Sequence, residues 1–257
     1  MKFDDIYSVS HKKTDVSQAE ITQIEQQLKI KLPDDYWEFV KRFGEGAFCG
    51  VLNFFAPKQF LEHQKLCKKL WTEYYFFDKA TLSQKEVLES VSIATSMEGD
   101  EVVYKSTGKI GYFLLPRHAD EIQKIGKTIS DVLEWFSSSG VIYKPTKFRW
   151  FSTFRDHCRL HIVKDKYIPP AEALSLIDKA FGVVHAELSE DENYSIFFCQ
   201  KISGYVQVYS DLAKRDTSFD IFHDLDFDCD VYQIVEHQFF KQGFRSIEHF
   251  RPKISSS

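Results

Sequence analysis

The order of helix and strand patterns along the sequence predicts an α+β protein of two domains. In the first half, two short helices lead into a strand region, a meander of three strands and a closing helix. In the second half, a strand, a helix, several strands and a final helix predict a second small α+β unit. The polar segment at residues 144–147 contains a proline and separates the two patterns. We therefore expect one domain at residues 1–143 and another at residues 148–257.

The composition is that of an ordinary globular protein. Its 257 residues are 43% hydrophobic and 28% charged, which suffices for one large core or two small ones. The net charge of -5 weighs against a general affinity for the phosphate backbone of nucleic acids. We find neither a secretion signal nor an apolar stretch near the roughly 20 residues of a membrane-spanning helix, so we expect a cytoplasmic protein. The five cysteines are scattered and never form a Cys-x-x-Cys pair, which predicts reduced thiols.

Two helices are predicted near the start of the chain. Ser17 and Glu20 form a Ser-x-x-Glu capping box, which predicts a helix over residues 16–28. Pro33 suits the first turn of a second helix, because its missing N–H costs nothing there. The apolar residues that follow at helical spacing are Tyr36, Phe39, Val40 and Phe43. Gly44 ends this helix, since glycine reaches positive φ without a Cβ clash.

The rest of the first half predicts strands between two more helices. Residues 47–57 favour a strand or hairpin, and residues 60–77 favour a helix that ends in an aromatic cluster. This cluster is Trp71, Tyr74, Tyr75, Phe76 and Phe77. Core packing is its preferred interpretation, and a partner-binding face is the alternative. The meander is predicted at residues 92–95, 102–105 and 110–115, and Thr128 with Asp131 caps the closing helix.

These residues resemble the SUKH superfamily, which includes bacterial toxin-immunity proteins and a fungal regulator of cell-wall synthesis. The matching positions are Leu32, Pro33, Asp35, Tyr36, Phe39, Gly44, Gly99, Asp100, Gly111, Tyr112, Phe113, Thr128 and Leu133. The sequence departs from the family pattern at Glu45, Gly126 and Ile129. The resemblance covers residues 16–139, and it implies helices packed on a mainly antiparallel sheet. It also implies a noncatalytic protein that binds another protein, with structural roles for the motif positions.

The second half begins with alternating aromatic and basic residues at positions 148–155. This alternation is typical of a half-buried strand, although interleaved aromatic and basic residues also bind single-stranded nucleic acid. Further strands are predicted at residues 159–163, 183–188, 194–200, 205–210 and 219–222. Helices are predicted at residues 169–181 and from an Asp230 cap to about residue 242. We recognise no family in this half.

Three potential zinc ligands lie close together at His157, Cys158 and His161. On a strand Cys158 points away from both histidines, so we assign no metal site to them. A second group, Asp224, Asp226, Asp228 and Asp230, occupies alternate positions. On a strand these carboxylates would share one face, which could be a solvated surface, a magnesium site for phosphoryl chemistry or a surface that attracts a basic protein.

The sequence contains no phosphate-binding glycine loop, nucleophile elbow or Walker pattern. We therefore assign no catalytic residue and no cofactor. The first hypothesis is a bacterial immunity protein that neutralises a toxin domain, such as a nuclease, by direct binding. The predicted partner-binding residues are Asp224, Asp226, Asp228, Glu190, Asp191 and Glu192. A regulatory scaffold in cell-wall or stress signalling and a metal-dependent enzyme that uses the Asp224–Asp230 run are the alternatives. The oligomeric state is left open.

Overall fold

The protein is described from a computed structural model that covers residues 1–10, 12–55, 57–141, 144–153, 157–189, 193–211, 213 and 215–250. The chain divides into two compact units. The first contains Met1–Ser8 and Lys13–Phe154, and the second contains Val9–Lys12 and Arg155–Ser257. Each unit has its own sheet and hydrophobic core, so the α+β prediction is confirmed.

The first unit has five α-helices among its described residues. They are α1 (Gln18–Leu28), α2 (Asp34–Phe43), α3 (Pro57–Glu73), α4 (Gln84–Leu88) and α5 (Ile129–Ser138). All but the short α4 were predicted. α1 begins at the predicted capping box, where the Ser17 hydroxyl accepts a hydrogen bond from the Glu20 N–H at 3.2 Å. In return the Glu20 carboxylate accepts one from the Ser17 N–H at 2.8 Å.

The strands of the first unit form one mixed sheet. They are β1 (Tyr7–Ser8), β2 (Gly46–Phe48), β3 (Leu52–Phe54), β4 (Lys79–Ala80), β5 (Val91–Ser96), β6 (Glu101–Lys105), β7 (Gly111–Leu115), β8 (Glu121–Gly126) and β9 (Trp150–Thr153). Their order is β1-β9-β2-β3-β5-β6-β7-β8-β4. The predicted hairpin is the antiparallel pair β2 and β3, and the predicted meander is β5, β6 and β7. The sequence did not predict β1, β4 or β8.

The segment around α2 supplies much of the first core. Its buried residues are Tyr36, Trp37, Phe39, Val40 and Phe43. Gly44 ends the helix with a φ of 78°, and a Cβ at this position would lie 3.0 Å from the backbone nitrogen of Thr14. Glycine is therefore required here both by the positive φ and by the close approach of another segment.

Two acidic residues of the family-like motif stabilise turns. Asp35 accepts a hydrogen bond from the backbone N–H of Ile129 at 2.7 Å, so a residue of α2 caps the start of α5. Asp100 is buried between β5 and β6. It accepts hydrogen bonds from the Ser96 hydroxyl at 2.6 Å and from the Arg117 N–H at 2.9 Å. Both side chains satisfy backbone donors that would otherwise lack a protein partner.

The strand predicted to open the second domain lies in the first sheet. β9 pairs in parallel with β1 and antiparallel with β2. Phe151 is fully buried in the first core, with its ring centroid 5.6 Å from Phe39 and 5.3 Å from Phe43. The prediction that this segment opens the second domain is therefore corrected, because the segment belongs to the first unit. An alternating pattern predicts a strand with one buried face, but it does not specify which sheet the strand joins.

The second unit is an antiparallel sheet with two helices on one face. Its helices are α6 (Pro170–Phe181) and α7 (Asp228–Gln238), and its strands are β10 (His157–Lys164), β11 (Val183–Leu188), β12 (Tyr194–Cys199), β13 (Gly204–Asp211), β14 (Asp216–Asp224) and β15 (Arg245–Phe250). The strand order is β11-β12-β13-β14-β10-β15. Both helices contribute to the core beneath the sheet. The sequence predicted all of these elements except β15.

The aspartate run does not form the predicted strand face. β14 ends at Asp224, a 3-10 turn covers Leu225–Phe227, and α7 begins at Asp228. Asp224 and Asp228 are buried, whereas Asp226 and Asp230 are exposed. Asp230 lies in the first turn of α7 and is not its N-cap. Asp228 and Asp230 lie in the first turn of α7, where the helix dipole favours negative charge. This end of the run therefore forms the start of a helix and not a strand.

All five cysteines are free thiols, and Cys67, Cys158 and Cys199 are buried. In the part of the chain that the structure describes, no helix has both the length and the apolar character needed to cross a bilayer.

Candidate protein-binding surface

The aromatic cluster at the end of α3 is divided between core and surface. Trp71 and Phe77 are buried in a secondary core of the first unit. Tyr74 and Phe76 are 65% and 50% exposed, and two leucines of the same helix, Leu66 and Leu70, are 55% and 44% exposed. The core interpretation therefore applies to only part of the cluster. The four exposed side chains form an apolar surface.

Helical spacing and buried neighbours position these exposed side chains. Leu66, Leu70 and Tyr74 follow one another at intervals of four residues, so they lie along one stripe of the helix. The Tyr74 N–H donates to the Leu70 carbonyl at 2.7 Å, which continues the helical hydrogen bonding past the end of α3. The Phe76 ring packs 4.5 Å from the buried Phe77 ring. The exposed Phe76 ring is thus held by a residue of the core.

A groove of about 550 Å³ runs beside this stripe, and we call it the α3 groove. Its lining includes Leu70, Tyr74 and Phe76 together with Pro116 and Arg117. The groove therefore combines apolar walls with an exposed cation.

The family-like Gly-Asp turn positions Arg117, which lines the α3 groove. Gly99 has a φ of 86°, and a Cβ at this position would lie 3.0 Å from Cδ of Arg117. Asp100 holds the backbone of Arg117 through the 2.9 Å hydrogen bond. Glycine and aspartate at these two positions thus allow Arg117 to lie close against the turn.

Three side chains that could hold a metal lie close together in the first unit, and two of them, Cys67 and Glu101, line the α3 groove. The Nε2 atom of His63 is 3.1 Å from Oε2 of Glu101 and 3.2 Å from Sγ of Cys67. Burial, and then the charge of Glu101, raise the pKa of the Cys67 thiol. The thiol is therefore protonated at neutral pH, which is unfavourable for a nucleophile. The hydrogen bonds among the three side chains explain their proximity without a metal.

The predicted partner-binding aspartates lie in the second unit and do not form one surface. Asp224 accepts a hydrogen bond from the Ser10 hydroxyl at 2.7 Å, and Asp226 forms an ion pair with Lys12 at 2.9 Å. Asp228 is held by His249, whose Nε2 lies 2.7 Å from Oδ1. Only Asp226 of these three is exposed, so the arrangement required for acidic steering or for phosphoryl chemistry is not formed. The other candidates, Glu190, Asp191 and Glu192, lie outside the described residues.

The second sheet has a polar and aromatic face opposite α6 and α7, which the sequence reading missed. Tyr205 stacks on Phe222 at 4.8 Å. Asp220 accepts hydrogen bonds from Nε of Arg159 at 2.9 Å and pairs with Nδ1 of His161 at 2.7 Å. The alternation of buried and exposed residues along each strand could have indicated this face. The pairing of side chains across strands could not be derived from that alternation.

Two zinc-ligand candidates of β10 lie on opposite faces of the sheet, as the alternation of side chains along a strand requires. Cys158 is buried, while His161 lies on the opposite face beside Asp220. The side chain of His157 lies outside the described residues. Cys158 instead approaches His223 and Asp228, two residues that the sequence reading did not connect with it.

The geometry defines the class of the first unit, an α+β domain in which helices pack on a mainly antiparallel sheet and an apolar groove opens beside α3. Residues 15–135 match the SMI1 / KNR4 family (SUKH-1). This part of the chain is therefore similar to the SUKH family, and the predicted resemblance is confirmed. The family is known for toxin-immunity and SMI1/KNR4-type domains, which are generally noncatalytic and typically bind a partner protein. No curated protein matches the sequence.

Proposed function

We propose that this protein is a noncatalytic immunity protein that neutralises a cognate toxin domain by binding it through the α3 groove. The observation that carries the proposal is the exposed apolar stripe of Leu66, Leu70 and Tyr74, with Phe76 beside it, within a domain similar to the SUKH family. Monomeric proteins rarely expose contiguous apolar patches larger than a few hundred Å², and such patches often mark interaction sites. Tyrosine is also among the residue types that contribute most to protein interfaces.

The α3 groove has both apolar and polar parts, as a specific interface requires. Burial of one large apolar side chain contributes about 1.5–3 kcal/mol. Association costs about 4–15 kcal/mol, so four such side chains alone give only weak binding. Glu101 and Arg117, which line the same groove, supply charged groups that can form further contacts and select the partner.

The test is rescue of cells that express a candidate toxin, chosen from any toxin gene that lies beside the gene for this protein. The wild-type chain should restore growth and form a stoichiometric complex with the toxin domain. Leu70→Asp places a charge in the apolar stripe and should weaken binding by at least about 30-fold, since a lost central contact costs about 2 kcal/mol or more. Titration calorimetry with the purified toxin domain measures this change.

Ile110→Asp is the matched control. Ile110 is 56% exposed in the same unit but does not line the α3 groove, so the same change there should leave affinity and rescue unaltered. Equal losses in both variants would contradict the assignment of the groove. Absence of rescue by the wild-type chain would contradict the immunity function itself.

A regulatory scaffold is the second candidate, and the second unit favours it. The family match ends at residue 135, and the second unit has an aromatic and charged sheet face of its own. A scaffold needs two binding surfaces, whereas an inhibitor needs only one. A Tyr205→Ala variant that rescues fully but loses an endogenous partner captured by the wild-type chain would support the scaffold.

A further inference from the structure

Four residues of the second unit converge beneath the start of α7. Cys158 and His223 are directly opposite each other in the register of β10 and β14. The turn after β14 brings Asp228 back over this pair, so that the ligand atoms of all three residues lie within 4.8 Å of one another. Cys158 and His223 have no exposed surface, and Asp228 is 6% exposed. His249 of β15 contacts Asp228 from the edge of the sheet.

The orientation of His223 suits a metal ligand. Its Nδ1 lies 3.0 Å from the carbonyl oxygen of Asp224, a geometry in which Nδ1–H donates to the carbonyl. In the neutral ring Nε2 then carries the lone pair, and Nε2 lies 3.7 Å from Oδ1 of Asp228. Two nitrogen or oxygen ligands of one tetrahedral zinc ion are separated by about 3.4 Å, given bond lengths near 2.0–2.2 Å. The imidazole and the carboxylate are therefore spaced as two ligands of one ion.

The Asp228 carboxylate is itself oriented by neighbouring residues. Nε2 of His249 lies 2.7 Å from Oδ1, and the His249 ring stacks on Tyr232 with centroids 5.8 Å apart. Carboxylate ligands of metals are commonly held by such a second hydrogen bond, which fixes their orientation. His249 is thus placed as a positioning residue for the cluster.

We propose that Cys158, His223 and Asp228 bind a zinc ion. The donors are one sulfur, one nitrogen and one oxygen, a set that suits zinc, whereas magnesium and calcium prefer oxygen alone. Binding releases the thiol proton of Cys158 to solvent, and the divalent cation compensates the buried thiolate and carboxylate. The ion joins β10, β14 and α7, so its role is to stabilise the second unit.

The test uses the full-length wild-type chain, loaded with zinc and then dialysed. We expect about one zinc per chain by elemental analysis, and a thiolate-to-cobalt absorption band after replacement by cobalt. Asp228→Asn retains an oxygen that can accept from His249 but loses the charge, so it should weaken zinc binding by at least tenfold. His249→Ala should weaken binding about 10–100-fold yet retain the cobalt band, because the thiolate ligand is unchanged.

Two cysteine variants serve as controls for Cys158→Ser, which should lose the zinc and the cobalt band. Cys229→Ser alters an exposed thiol, and Cys67→Ser alters the other metal-capable cluster, so both should retain one zinc per chain. A folded wild-type chain that retains no zinc would overturn the proposal. So would zinc that survives Asp228→Asn with unchanged affinity, or zinc that is lost in Cys67→Ser.

Discussion

The helices of the two units differ in how their N-termini are capped. Three helices of the first unit, α1, α4 and α5, begin at complete capping boxes. In the second unit neither α6 nor α7 has a side-chain cap, and their N-caps are Pro169 and Phe227. In the first unit, three helix starts can thus be predicted from short sequence motifs. In the second unit, the helix starts carry no such motif, and their positions depend more on packing and on polar contacts between residues that are distant in the chain.

The largest expected effect concerns the end of the first unit. A fragment of residues 1–153 contains β9, whereas a fragment of residues 1–143, the predicted domain, does not. Loss of β9 removes Phe151 from the core, and a Phe-to-Ala change alone costs about 3–5 kcal/mol. We expect the longer fragment to unfold cooperatively on heating and the shorter one to lose most of its transition, as measured by circular dichroism. Equal melting of the two fragments would show that β9 is dispensable and that local signals suffice.

A smaller effect is expected at the cap between α2 and α5. Asp35→Ala removes the acceptor for the Ile129 N–H and should lower the free energy of unfolding by about 1 kcal/mol. The adjacent Asp34 is the matched control, because it is exposed and, among the described residues, its side chain forms only a 3.6 Å ion pair with Lys31. Asp34→Ala should change stability by less than about 0.5 kcal/mol. Urea titration of both variants measures the difference, and equal losses would contradict the capping role of Asp35.

The smallest expected effect is the pH dependence of the capping box of α5. Hydrogen bonds from the Lys127 and Thr128 N–H groups lower the pKa of Asp131. The folded pKa lies below the unfolded value of about 3.9, so the stabilisation is complete above that pH and is lost as pH falls through the folded pKa. Asp131→Asn should therefore be less stable than wild type by at most about 1 kcal/mol at pH 7, and the gap should narrow below about pH 4.

Asp120→Asn, at an exposed turn position of the same unit, is the control for this pH experiment. Its stability relative to wild type should not follow the same pH profile. A difference in unfolding free energy between Asp131→Asn and wild type that stays constant between pH 7 and pH 2 would show that the charge of Asp131 does not contribute to the cap.

The sequence by itself determined the elements that local chemistry specifies. Ser17 with Glu20 and Thr128 with Asp131 started α1 and α5 as predicted, because a side-chain cap acts within one helical turn. The same holds for Gly44, whose positive φ ends α2. The SUKH match covers residues 15–135, the part of the chain that contains these features.

Only the tertiary structure decided contacts between residues that are distant in the chain. Alternation predicted β9 as a strand but could not assign it to the first sheet, since pairing is set by partners a hundred residues away. The aspartate run was compatible with a strand and with a helix start, and packing of α7 selected the second. Cys158, His223 and Asp228 meet because strand register and a turn bring them together, and neither is encoded in the spacing of the three residues. The aromatic cluster of α3 is a further example. Trp71 and Phe77 are buried because they pack in a core, whereas Tyr74 and Phe76 remain exposed.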